Sequence, residues 1–136
     1  MSEQANTAVI QNTYAAFNSG DIQGVLANLD SNANWVNYGP AAVPYFGDFT
    51  GRIADFFTAI GQTDLGGNVA IDRYIASGDA VVSQGRYTAT VRSTGVKFDE
   101  PIVHVFTLRD GKIASWNGYG DTAAVIAAHT GKAMSV

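Results

Sequence analysis

The chain has 136 residues, 46% of them apolar and only 15% charged, with a net charge of −4 and no cysteine. That length suits one domain, residues 1–136, in which folding hides roughly two-thirds of the unfolded surface without disulfides or metal staples. The eight Lys and Arg are scattered singly, which excludes an electrostatic footprint for nucleic acid. Without cysteine, disulfides, thiolate metal sites and cysteine nucleophiles are excluded as well. The polar N-terminus MSEQANTAV lacks the apolar core of a signal peptide, and no apolar run is long enough to span a bilayer. The expectation is a cytoplasmic protein that contacts neither membrane nor nucleic acid.

The first half reads as helical. Val9, Ile10, Thr13, Tyr14, Ala16 and Phe17 recur at three- and four-residue intervals and form one buried stripe. Ser19-Gly20 interrupts it, and Asp21 is placed to cap a second helix with the stripe Ile22, Val25, Leu26 and Leu29. A short strand is predicted over 33–38. Gly39, Pro40, Pro44 and Gly47 mark a loop after it. A third helix begins at Thr50-Gly51, carries Ile53, Phe56, Phe57 and Ile60, and is expected to stop at Gly61.

The second half reads as a β-meander, with runs at 68–77, 80–92, 97–108 and 112–119 separated by Gly78-Asp79, Thr94-Gly95 and Asp110-Gly111. Alternation puts Tyr87, Ala89 and Val91 on one face and Arg86, Thr88, Thr90 and Arg92 on the other, so Tyr87 points inward. In the run 102–108 only His104 and Thr107 are polar, which predicts a strand covered on both faces. A last short helix starts at Asp121-Thr122. Helices followed by an antiparallel sheet make an α+β fold. The sheet face carrying Val103, Val105 and Tyr119 has no helix left to cover it, and a second copy of the chain is the simplest cover.

His104 stands out because a strand buried on both faces has little reason to carry an imidazole, the side chain that titrates nearest neutral pH. It reads either as a general acid–base group in an apolar pocket or as a core histidine satisfied by hydrogen bonds. With only His104 and His129, far apart, metal-ligand spacing is absent, and no glycine-rich phosphate loop follows a strand. Neither a metal nor another cofactor is therefore expected.

The order Tyr14-Ala-Ala-Phe-Asn-Ser-Gly-Asp21, Trp35-Val-Asn37, Gly51-Arg52 before Phe56-Phe57, and His104-Val-Phe-Thr-Leu-Arg-Asp-Gly-Lys-Ile113 resembles the SnoaL-like polyketide cyclases. With the ketosteroid isomerases these belong to the nuclear transport factor 2-like superfamily. The resemblance covers nearly the whole chain. It implies a cone-shaped, cystatin-like curved antiparallel sheet packed against N-terminal helices, with a pocket inside, and the uncovered sheet face adds the expectation of a homodimer. Ketosteroid isomerase uses an Asp base with a Tyr and a protonated Asp as oxyanion hole. The resemblance puts the base position on Asn37, the oxyanion-hole Asp on His104, and the Tyr on Thr13, one place before Tyr14. The carboxylate common on the last strand of the cyclases falls on Gly118.

An amide at position 37 cannot abstract a proton at neutral pH, so a steroid-isomerase mechanism is not expected. The expectation is instead a small-molecule-binding protein, either a cofactor-free acid–base isomerase, cyclase or hydratase or a non-catalytic module. In the catalytic version His104 moves the proton while Asn37 and Tyr14 stabilise an oxyanion. Trp35, Phe56, Tyr87, Phe106 and Trp116 hold the apolar body of a small hydrophobic molecule.

Overall fold

Helix α1 (Glu3–Asn18) starts where the Ser2 hydroxyl accepts a hydrogen bond from the Ala5 N–H at 3.0 Å, and it turns Ile10, Thr13 and Tyr14 inward. Its last residue, Asn18, ties the helix to the sheet. The Asn18 amide donates to the Val69 carbonyl and accepts from the Val69 N–H, each at 2.8 Å, as a strand neighbour would. After Gly20, the Asp21 carboxylate accepts from the Gly24 N–H at 2.9 Å and caps α2 (Ile22–Leu26). This computed structural model describes residues 2–132.

Strand β1 (Leu29–Asn37) leads into a loop that touches back through the two-residue β2 (Gly47–Asp48). Helix α3 (Ile53–Thr63) precedes the meander β3 (Asp64–Ser77), β4 (Ala80–Val91), β5 (Lys97–Arg109) and β6 (Lys112–Gly120), and α4 (Thr122–His129) follows. One curved, unclosed six-stranded sheet results, in the order β2-β1-β6-β5-β4-β3, and the helices pack on its concave side. The β5–β6 hairpin turns through Asp110 (φ 52°) and Gly111 (φ 76°), the paired left-handed residues that a two-residue hairpin loop requires.

The meander strands, the Asp21 and Asp121 caps and the inward placement of Tyr87 agree with the sequence reading. Four features differ. Helix α3 runs through Gly61 to Thr63, because Gly61 keeps helical geometry and lacks the left-handed turn that ends a helix. Leu29 opens β1 rather than closing the helical stripe, and a register shift between Leu29 and Asn34 follows it. Pairing of β1 with β6 is parallel, in a sheet otherwise antiparallel. The outer face of β5 is open in the single chain: Val103 is 37% exposed, while Ile102, Phe106 and Leu108 are buried.

The core lies between the concave sheet face and the helices. Trp35 stacks on Trp116 with ring centroids 4.7 Å apart, and Phe56 meets both rings. The loop between β1 and β2 also turns Val43, Tyr45 and Phe46 into the interior, so it forms wall and not merely a connection.

Candidate active site

A cavity of about 90 Å³ lies inside the cone, and its wall includes all eight residues singled out from the sequence: Tyr14, Trp35, Asn37, Phe56, Tyr87, His104, Phe106 and Trp116. Most of that wall is aromatic or aliphatic, with Phe17, Val25, Phe57, Ile60 and Ile102 among its other members. A few polar groups on an apolar wall are the usual make-up of a small-molecule site.

Strand register builds the His104 end. On β5, His104 pairs across to Ser83 on β4 and to Gly118 on β6. Helix α1 lowers Tyr14 onto this row. The Tyr14 hydroxyl is 2.7 Å from His104 Nδ1 and 2.5 Å from Ser83 Oγ, so its reach compensates for the one-place offset from Thr13. Thr13 instead spends its hydroxyl on the Val9 carbonyl at 2.7 Å.

The imidazole also packs edge-on against Trp116 with centroids 4.9 Å apart. Its residual exposure is to the cavity, since the surrounding protein encloses the ring. Burial pushes the imidazole down to about 3, so His104 is neutral at physiological pH. Burial likewise pushes the Tyr14 phenol above its ordinary range. Both groups are thus uncharged, and the Tyr14 contacts leave Nε2 as the imidazole nitrogen free to meet a ligand.

Asn37 donates from Nδ2 to the Tyr45 carbonyl at 3.1 Å and so anchors the wall-forming loop. Its Oδ1 lies close to Gly118. A Cβ built at Gly118 would stand 2.5 Å from the Trp116 ring and 2.8 Å from Asn37 Oδ1. The missing side chain there is therefore filled by Trp116 rather than left as free space.

Sequence reasoning missed the polar groups at the other end of the cavity. Glu100 and Tyr45 line it, and Tyr87 donates its hydroxyl proton to Asp64 Oδ2 at 2.7 Å. Burial and then the nearby Asp121 and Asp64 push the Glu100 carboxyl up to about 8. Burial raises Asp64 as well, against the lowering effect of the Tyr87 hydrogen bond. The signal available was alternation: Glu100 shares its strand face with Ile102 and His104, and so must point the same way. Ser83 was legible by the same rule, lying two residues after buried Val81.

Among the described residues, no group of three or more His, Asp or Glu is placed to hold a metal ion. No described helix is long and apolar enough to cross a membrane.

Comparison with known proteins agrees with this architecture. Among solved structures, the chain is similar to an NTF2-like protein of unknown function from Burkholderia pseudomallei, with 25% identity, TM-score 0.85, and 94% of this chain and 98% of that chain covered. It is also similar to an NTF2-like protein from Burkholderia xenovorans, with 26% identity, TM-score 0.81, and coverage of 94% and 98%. TerC, co-crystallized with polyporic acid, matches at 27% identity and TM-score 0.83 over 91% of this chain and 97% of its own. No curated protein matches the chain. The family model for the SnoaL-like domain matches residues 10–116, and the chain belongs to that family.

Proposed function

We propose that this chain binds a small, largely apolar oxygenated molecule in the His104 cavity and performs cofactor-free acid–base chemistry on it. Isomerisation, cyclisation, hydration or elimination is the reaction class. The observation that carries this reading is the Tyr14–His104 contact at 2.7 Å on the wall of an apolar cavity. TerC, with its polyporic acid, supports a ligand-binding role for a chain of this shape.

In this mechanism Nε2 takes a proton from the substrate while Nδ1–H is held by the Tyr14 oxygen, whose own proton points to Ser83. An imidazolium is costly in so dry a site. It becomes affordable when negative charge develops beside it on the substrate, because opposite charges attract strongly at low effective dielectric. With the Tyr14 proton committed to Ser83, the second Nδ2 hydrogen of Asn37 would meet the developing oxyanion, and Trp35, Phe56, Phe106 and Trp116 would hold the apolar body.

The depth of the His104 shift, down to about 3, favours a second reading, in which the cavity binds a hydrophobic ligand without turnover. Either reading includes a homodimer through the outer sheet face. There Tyr119 and Tyr38, 46% and 47% exposed, stack with centroids 4.9 Å apart beside Val103. Native mass spectrometry for co-purifying molecules, followed by thermal shift with hydrophobic carbonyl compounds, tests the binding common to both readings. If no such compound raises the Tm, both fail.

A further inference from the structure

Glu100 sits at the end of the cavity away from His104, four residues along β5, or about 13 Å on an extended strand. It is only 7% exposed, lines the cavity, and its Oε2 is buried without a hydrogen-bond partner. Tyr45 and Asp64 nearby act on each other through their side chains, which leaves Glu100 Oε2 as the carboxyl oxygen of the cavity wall without a partner. Buried polar atoms are nearly always satisfied, so an orphaned carboxyl oxygen on a cavity wall calls for a partner from outside.

The groups facing Glu100 determine the sign of that partner. Asp64 from β3 and Asp121 at the α4 cap bring negative charge, and Tyr87 from β4 and Tyr45 from the loop bring neutral phenols. His129 on α4 and Arg92 just past β4 act on Asp64, and neither lines the cavity. No Lys or Arg does. The buried Glu100 carboxyl therefore shares the cavity wall with Tyr45 and Tyr87 and with no Lys or Arg.

We propose that the Glu100 end of the cavity is a subsite for an organic ammonium group, held by Glu100 and flanked by the Tyr45 and Tyr87 rings. This rests on the reading that the cavity binds a small molecule, and adds that the molecule is elongated, with a basic amine opposite the part that meets His104. Aromatic faces attract a desolvated ammonium, and its N–H groups supply the donor that the orphaned Glu100 oxygen lacks. With the Glu100 carboxyl pushed up to about 8, a proton occupies the empty subsite at neutral pH. Ammonium binding converts Glu100 from acid to carboxylate, and the displaced proton leaves to buffer.

The test is isothermal titration calorimetry of the full chain at neutral pH, in two buffers of different ionisation heat, with phenethylamine and with phenethyl alcohol. The amine should bind about tenfold tighter or better and release close to one proton, while the alcohol releases none. Glu100→Gln, nearly isosteric, should abolish both the preference and the proton release while leaving alcohol binding intact. If Glu100→Gln does not fold, the proton count on the wild-type chain decides alone. Alcohol bound as tightly as amine, or a preference that survives Glu100→Gln, overturns the subsite and leaves the binding function standing. If neither compound binds, the binding function falls, and the subsite with it.

Discussion

Tyr14 and His104 are joined at 2.7 Å between the phenol oxygen and Nδ1, and the same phenol lies 2.5 Å from Ser83 Oγ. One hydroxyl from α1 thus links two neighbouring strands through a three-member chain that can hold its protons in either direction. With Tyr14 donating to Nδ1, the imidazole presents Nε2–H to the cavity as a donor. With the chain reversed, Nε2 presents a lone pair and becomes an acceptor.

Tyr14→Phe removes the middle member of this chain and leaves Ser83 and Nδ1 unpaired. Unfolding in urea should show a loss of about 1–3 kcal/mol, the usual cost of orphaning a buried polar group. Imidazole 15N shifts should also change, because no phenol fixes the Nδ1 protonation state. Unchanged shifts would mean that Tyr14 does not set the tautomer.

His104→Ala should abolish turnover of any substrate found, with the fold retained. His104→Gln keeps much of the volume and hydrogen bonding, and should also be inactive, because an amide cannot carry the proton. Steady-state assays of both variants decide the matter. Wild-type turnover by His104→Gln would remove the imidazole from the mechanism.

Stability should peak in mildly acid solution. His104 falls from 6.5 unfolded to about 3 folded, so the unfolded chain binds more protons between those values and stability drops as pH falls through them. Glu100 rises from 4.5 to about 8, so the folded chain binds more protons in that window and stability drops as pH rises through it. Asp64 is also raised and adds to the Glu100 limb. Together these place the maximum between about pH 4.5 and 6.5, measurable as Tm against pH. Glu100→Gln should flatten the alkaline limb, and a Tm still climbing from pH 6.5 to 8 would contradict the assignment.

The local features were legible because their causes are local. Asp21 and Asp121 cap helices through the N–H groups three residues on, and Asp110-Gly111 turns a hairpin by its own dihedral preferences. Pairing of β1 with β6 has no such cause within reach of a short window, since it depends on how the meander curls. Glu100 escaped notice as a site group because a glutamate in a strand usually marks the solvated side.

The open sheet face should make the chain a dimer. Sedimentation equilibrium at micromolar concentration should give about twice the 14.3 kDa chain mass, and Val103→Glu should return it to monomer. A wild-type monomer there would rule out the outer face as an interface.

Gly118→Ala places a methyl group where Trp116 and Asn37 already meet. Overpacking of this kind costs about 1–3 kcal/mol. Chemical denaturation should show that loss, together with weaker binding of any ligand that touches the Trp116 ring.

The parallel register of β1 on β6, with Trp35 directly beside Trp116, also bears on how the chain acquires its interior. Trp35 leaves the ribosome about eighty residues before Trp116 does. Until β6 arrives, the edge of β1 that it will join is bare, with only two-residue β2 on the other edge, and the aromatic lining stays exposed. Contacts this distant in sequence slow folding, because the loop must close before they repay its entropy. The cavity therefore takes shape only once β6 is made, and until then the uncovered aromatic lining leaves the chain most prone to aggregate.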